Sequence, residues 1–508
     1  MKYPILLLFQ LCLLLPAAAQ KHDYIWVSGD SNTPATTTHG GILIDFNQKP
    51  VTATYRYRDM NMFVCNASIC DTAGNLVAYS NGCHIAGADD EILENGEVIN
   101  PGLAWQVSCV QNEDGYASGI QSALFLPTPD SPQIYYLFHK QIKLVLSPLS
   151  GYPEALLNSV LDMSQNGGLG KVIKKNIEVL KDTLAYGELI AAKHANGVDW
   201  WVVTPRRNSN TFYFLKFTKD GIIDTVQQTI GIKPNPTGEG YGQIVFSPDG
   251  SKIYRTNPRH PVMVYSFDRE TGVITQFDTI AFDYGVQPVV GETGCAISPN
   301  GRFLYLGCQM YLYQLDLWAP DISASQTVVA EWDGYAAPIP TMFSYLQLGP
   351  DCKIYGLGGG DTRFFHVIHN PDEPGLACNV EQRGLPLPTP SGASMPSFPN
   401  FRLGPIDNPG QPCSPVVNTT APPTPLPAFS VFPNPVRTVL KIIPNRQFSG
   451  PGRFRLFDGT GRLQRDLAFD PRQAVTALDM QTLPAGMYFF EIWCAGKQQR
   501  VGKLFKPD

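Results

Sequence analysis

A Gly-Glu pair recurs near the start of successive repeated segments, at Gly187-Glu188, Gly238-Glu239 and Gly291-Glu292. The glutamates stand 51 and 53 residues apart, so they occupy equivalent places in whatever unit repeats at that period. Three carboxylates brought to one axis could hold a hard cation such as Ca2+ through oxygens, or receive a polar ligand. Used in pairs they could also act as acid and base, which admits a hydrolase or lyase, with or without a divalent cation. The plainer alternative is that each glutamate caps backbone N–H groups of its own unit or the next.

Other residues offer less. His366 and His369 are three apart in an apolar run, and strand alternation turns them to opposite faces, which speaks against a shared metal. The stretch 356–361 (GLGGGD) lacks the Gly-Lys-Ser/Thr ending of a phosphate loop and reads as a turn. Asp89, Asp90, Glu91 and Glu94, with Asn95 beside them, form an acidic cluster without EF-hand spacing; a solvated loop is the favoured reading and weak calcium binding the alternative. Adjacent Trp200 and Trp201 must face opposite ways on a strand, one for packing between units and the other free to stack on a sugar. No Gly-x-Ser-x-Gly elbow occurs, and no residue is assigned a catalytic role.

The elements that would position these side chains announce themselves as a repeat. Segments 244–256 (IVFSPDGSKIYRT), 295–307 (CAISPNGRFLYLG) and 346–358 (LQLGPDCKIYGLG) each join two apolar strands through a Pro-centred turn, at a spacing of 51 residues. A period near 50 with about four strands per unit is the signature of an all-β propeller. Looser copies at 67–82, 122–140 and 188–204 bring the hairpins to six. A seventh blade is expected from both ends of the domain, with residues 395–403 as inner strand beside 24–27, 42–46 and 51–57; six blades is the alternative. Apolar spacing alone would allow a short helix at 154–164, but the repeat and the Gly-rich 166–170 favour strands and a turn.

Composition and termini set the outer bounds. With 16% charged residues and a net charge of -6, the chain has no broad positive field for nucleic acid or an anionic membrane. Lys2, the apolar run 5–15 and Ala17-Ala18-Ala19 read as a signal peptide over 1–19. No later stretch is apolar enough for membrane insertion. Export takes Cys12 away with the signal and leaves ten cysteines, for which several disulfides are expected over metal binding, since no CxxC pair exists. The passenger is placed at 20–406, a Pro-rich linker at 407–427, and a small β-sandwich at 428–508.

Two resemblances add to this. The C-terminal unit carries Pro433, Asn434 and Pro435 near its first strand, Gly461 in a central turn, Gly486 and Tyr488, then Gly496, Lys503 and Lys506. In that order they resemble the type A sorting domain of type IX secretion cargo. The resemblance implies an Ig-like sandwich recognised by the type IX translocon, with the passenger then released or held on the cell surface. Phrases such as 66–82, 162–170, 193–203, 365–379 and 395–407 resemble a group of Bacteroidetes proteins, which implies a propeller-like architecture and brings no catalytic residues. Four Asp-Thr-apolar triplets, at Asp71, Asp182, Asp224 and Asp278, resemble the O-glycosylation signal of such exported proteins and equally suit plain turns. Together these readings point to a secreted or surface-attached binding or adhesion module for a glycan, peptide or surface partner, with catalysis as the alternative.

Overall fold

The computed structural model describes residues 20–29, 39–112, 115–146, 149–258, 260–285, 291–337, 339–413, 428–432, 436–444, 448, 450–473 and 475–507. Residues 1–19, expected to be a signal peptide, and residues 414–427 of the expected linker lie outside that set, as do Pro433, Asn434 and Pro435.

Residues 20–413 fold into seven antiparallel sheets of three or four strands, each a blade of a β-propeller. We number them 1 to 7 along the chain. Their inner strands are Ile25–Ser28, Ala67–Cys70, Ala123–Thr128, Ile190–Lys193, Ile244–Phe246, Thr293–Ile297 and Leu346–Leu348. The inner strands of blades 1, 4 and 6 are buried along their length, because neighbouring blades cover both faces. The apolar runs are therefore nearly continuous rather than alternating. Segment 154–164 is strand to Asp162 and then turn, as its place in the repeat required: Leu149–Asp162 pairs with Ser131–Leu146.

The first turn of each late blade shows how sequence sets geometry. In blade 5 the Asp249 carboxylate accepts from Ser251 N at 3.0 Å, and Gly250 takes φ 72°. Gly301 repeats this at φ 77° in blade 6. Blade 7 places Cys352 at the glycine position, with φ 66°. The left-handed cost to a side chain there is about 1–2 kcal/mol; it is accepted because Cys352 is disulfide-bonded to Cys413. A second disulfide joins Cys83 and Cys109.

Ring closure departs from expectation. Residues 395–403 form no strand. Pro396 and Pro399 have no N–H to donate to a ladder, and the segment runs into one end of the axial channel instead. The closing blade is built from N-terminal strands alone, Ile25–Ser28, Ile42–Asp45 and Thr52–Tyr55. It meets blade 7 through an aromatic cluster in which Trp26 and Phe46 stand edge-on to Tyr355 at 5.5 and 5.4 Å. Such pairs contribute about 0.5–1.5 kcal/mol each beyond their buried area.

The C-terminal unit is an Ig-like sandwich of a three-stranded and a four-stranded sheet, closed over Phe429, Leu440, Ile442, Phe454, Leu456, Phe490 and Ile492. Gly461 and Gly496 take φ 83° and 74° in its turns. Tyr488 is buried and donates its hydroxyl to Pro484 O at 2.6 Å. Gly486 and Lys506 pair at one end of the last hairpin, with Lys503 opposite Phe489.

Candidate functional site

The inner strands all begin at one mouth of the channel, here the upper one. Their first hairpin turns lie at the other, lower mouth. Glu188, Glu239 and Glu292 each precede an inner strand, so all three stand at the upper mouth, but they do different work.

Glu188 is spent on structure. Its carboxylate takes a bidentate pair from Arg255 of blade 5, Nε to Oε1 at 2.8 Å and Nη2 to Oε2 at 2.6 Å, with side chains 8% and 1% exposed. Burial pulls the Arg255 guanidinium down, yet the adjacent Glu188 more than offsets this and its pKa is raised. Beneath the pair lies Lys140, wholly buried, whose Nζ donates to the carbonyls of Ala185 at 2.8 Å and of Gly187. It thereby clamps the loop that carries Glu188.

Burial lowers Lys140 to about 7, against the attraction of Glu188 and Glu239. Unfolded lysine titrates near ~10.4, so between those values the folded state binds fewer protons and stability rises with pH. Relative to Lys140→Met, wild-type protein is expected to gain up to about 1.4 kcal/mol per pH unit from pH 7 to 10. Denaturant titrations of both proteins across that range measure it. Lys193, lowered to about 8 by burial, acts in the same sense in both and cancels.

Glu239 accepts from Tyr186 N of the neighbouring loop at 3.0 Å, the backbone-capping role expected of a structural carboxylate. Its second oxygen has no hydrogen-bond partner among the described residues. Burial and the charge of Glu188 raise its pKa. Burial raises Glu292 as well, opposed by the Ser344 hydroxyl. Both are half-buried, and among the described residues neither has a cation within ion-pair distance. Tyr345 binds Gly240 O at 3.1 Å between them and feels the charge of Glu292. Tyr241 stands half-exposed at the rim. Among the described residues no three His, Cys, Asp or Glu side chains converge as a metal set.

Below the mouth the channel is closed. The Gln121 amide bonds both Ile244 O and Ile244 N, at 2.9 and 3.1 Å, reaching from blade 3 to blade 5. Gln243 does the same to Leu346 of blade 7, at 2.7 and 3.1 Å, and also takes Cys295 N. Each side chain imitates a peptide group and ties blades that are not neighbours. From the lower end, Ser397 meets Gln121 at 3.1 Å and Phe398 N meets Gln347 at 3.3 Å. Arg402 fixes this plug by a bidentate pair with Asp23 at 2.8 and 2.6 Å. These cross-channel bonds and the plug bar passage along the axis.

Other sequence expectations resolve simply. His366 is buried, bonded to Met342 O at 3.0 Å, whereas His369 faces out to Glu381 at 2.7 Å. Asp90 is held by Arg56 and Tyr79. Trp200 and Trp201 are both buried, against Phe401 and Arg269 respectively, because blades cover both faces of that strand; neither can stack on a sugar. Of the four triplets, Thr72, Thr225 and Thr279 are exposed. Lys140, Arg255, Gln121 and Gln243 were not legible as a set. The sign they gave was a polar residue at the head of, or within, an apolar strand.

Residues 430–506 match the family of secretion system C-terminal sorting domains. This unit is a type IX sorting domain. The chain is therefore exported through the type IX machinery and is secreted or held at the outer surface of the cell, and among the described residues no helix is long and apolar enough to cross a membrane. No curated protein matches the chain. Among solved structures, the β-propeller domain of Swd1 from Myceliophthora thermophila is 10% identical, covers 65% of this chain and 96% of that one, with a TM-score of 0.35. A quinonprotein alcohol dehydrogenase-like protein from Bacteroides thetaiotaomicron is 11% identical over 74% and 77% of the two chains, TM-score 0.36. Regucalcin, a calcium-binding protein of Agrobacterium tumefaciens, is 15% identical over 55% and 94%, TM-score 0.27. Likenesses this distant carry nothing about activity.

Proposed function

We propose that the exported propeller is a binding module of a Bacteroidetes-type cell surface, and that its upper mouth receives a polar group of a glycan or peptide. The observation that carries this reading is the pair Glu239 and Glu292. Both are held above their ordinary pKa by burial, lack a cationic partner among the described residues, and flank the half-exposed Tyr241. Burying a carboxylate without full compensation is costly, and a ligand donating hydrogen bonds there would recover part of that cost. A closed channel beneath makes the mouth a shallow seat suited to a side chain or a chain end. The exported protein and its Glu239→Gln/Glu292→Gln variant should be compared by thermal shift against CaCl2, soluble glycans and short peptides. A ligand that binds only the folded state raises Tm. The reading predicts that at least one of these ligands shifts wild type and not the variant; if every ligand that shifts wild type shifts the variant equally, or none shifts either, it fails.

A further inference from the structure

The tryptophan that faces solvent is not one of the adjacent pair but Trp318, on the loop between the third and fourth strands of blade 6. The residue is 65% exposed. We propose that Trp318, with Arg302 and Asp316 at its side, is a platform on the lower rim for stacking a pyranose ring of an extracellular saccharide.

The platform is built rather than incidental. Asp316 accepts from Trp318 N at 3.0 Å and from Arg302 Nη2 at 2.7 Å. Leu317 N is held by Arg302 O at 2.7 Å, and Ala319 N by Asp316 O at 3.1 Å. Asp316 N is in turn fixed by Ser325 Oγ at 2.9 Å. The Arg302 guanidinium lies 4.8 Å from the Phe303 ring and 5.5 Å from the Trp318 ring, so part of the indole surface is braced and the rest is open. Little conformational freedom remains to be lost on binding.

The surrounding chemistry selects a sugar. A pyranose offers an apolar C–H face to an aromatic ring and hydroxyls at its edge, which need donors and acceptors beside the ring. Arg302 commits Nε and Nη2 to Asp316; among the described residues its Nη1 takes no partner and can donate to a hydroxyl. A protein hot spot would instead need a dry apolar collar around the ring. Here Ile322 turns inward onto the blade core, and the loop continues through Asp321, Ser323, Ser325 and Gln326.

The test uses the exported protein titrated with cellohexaose, xylohexaose and mannohexaose, followed by tryptophan fluorescence and calorimetry. At least one should bind, Trp318→Ala should weaken it by about tenfold or more, and Trp318→Tyr should stay within about threefold, since a ring is retained. Arg302→Met should weaken it as well. Because Trp318 is exposed, Tm of the alanine variant should be unchanged. The Glu239→Gln/Glu292→Gln protein should bind as wild type, which separates this site from the upper mouth. No binding by any of the three sugars, binding indifferent to Trp318→Ala, or a self-association in sedimentation that Trp318→Ala abolishes would each overturn the proposal.

Discussion

Replacing Glu188 with Gln is expected to cost the propeller about 3–5 kcal/mol, the largest single-residue effect in the channel. Arg255 sits in the wall of blade 5 with its side chain 1% exposed, and its charge is balanced there by one bidentate carboxylate. The neutral amide offers one acceptor oxygen and no charge, so the guanidinium stays buried and uncompensated. Lys140, beside it and already pushed down by burial, then loses the nearest negative charge as well. Replacing both partners, as Glu188→Gln/Arg255→Met, removes the orphan and should recover most of the loss, because a buried pair is often no better than a packed apolar substitute. Glu239→Gln and Glu292→Gln should each change stability by less than about 1 kcal/mol, since burial already disfavours their charged forms. Urea denaturation of the four proteins decides it. If Glu188→Gln is as mild as the other two, the assignment of Glu188 to structure is wrong.

That contrast shows where the sequence spoke and where it did not. The Pro-centred hairpins fix φ locally and recur at one spacing, so the late blades could be read directly, and the three glutamates were placed at equivalent strand heads. Their different fates depend on what faces them across a blade boundary, which no local pattern records. Arg255 pairs in register with Ile244. The same place holds Val203 in blade 4, Leu306 in blade 6 and Gly356 in blade 7. A lone charge among these apolar counterparts was the available clue. Residues 395–403 differ from their expected strand for another reason: Met395, Phe398, Phe401 and Leu403 make an apolar-rich segment like the blade strands, and the two prolines deny it the ladder. Trp200 and Trp201 misled because alternation exposes one face only in a sheet covered on one side. Trp318 lies in an aperiodic loop, and its role could be seen only once Arg302 and Asp316 were brought beside it.

Removing the Cys352–Cys413 disulfide is the second large expected effect. The bond closes a loop of 61 residues, and the chain-entropy relation gives about 4 kcal/mol for that length. The bond also retains the plug, because the closed segment contains Ser397, Phe398 and Arg402 and ends just beyond Pro412, whose carbonyl takes Arg402 Nε at 2.8 Å. Cys352→Ser/Cys413→Ser should therefore lower Tm and loosen the lower mouth together, with hydrogen exchange rising first at residues 397–403. The choice of replacement separates two contributions. Cys352 holds the left-handed conformation that glycine takes in blades 5 and 6, so serine keeps the strain and glycine relieves it. Cys352→Gly/Cys413→Ser should be more stable than the double-serine protein by roughly 1 kcal/mol. Of the six remaining cysteines among the described residues, all buried and unpaired, Cys65, Cys70, Cys295, Cys308 and Cys378 lie in the propeller, so labelling of these five by a thiol reagent reports opening of the blades themselves. If they react as fast as the exchange at 397–403, the disulfide holds the whole ring and not the plug alone; if they stay protected while the plug exchanges, the lower mouth is a separable element fastened by one covalent strap.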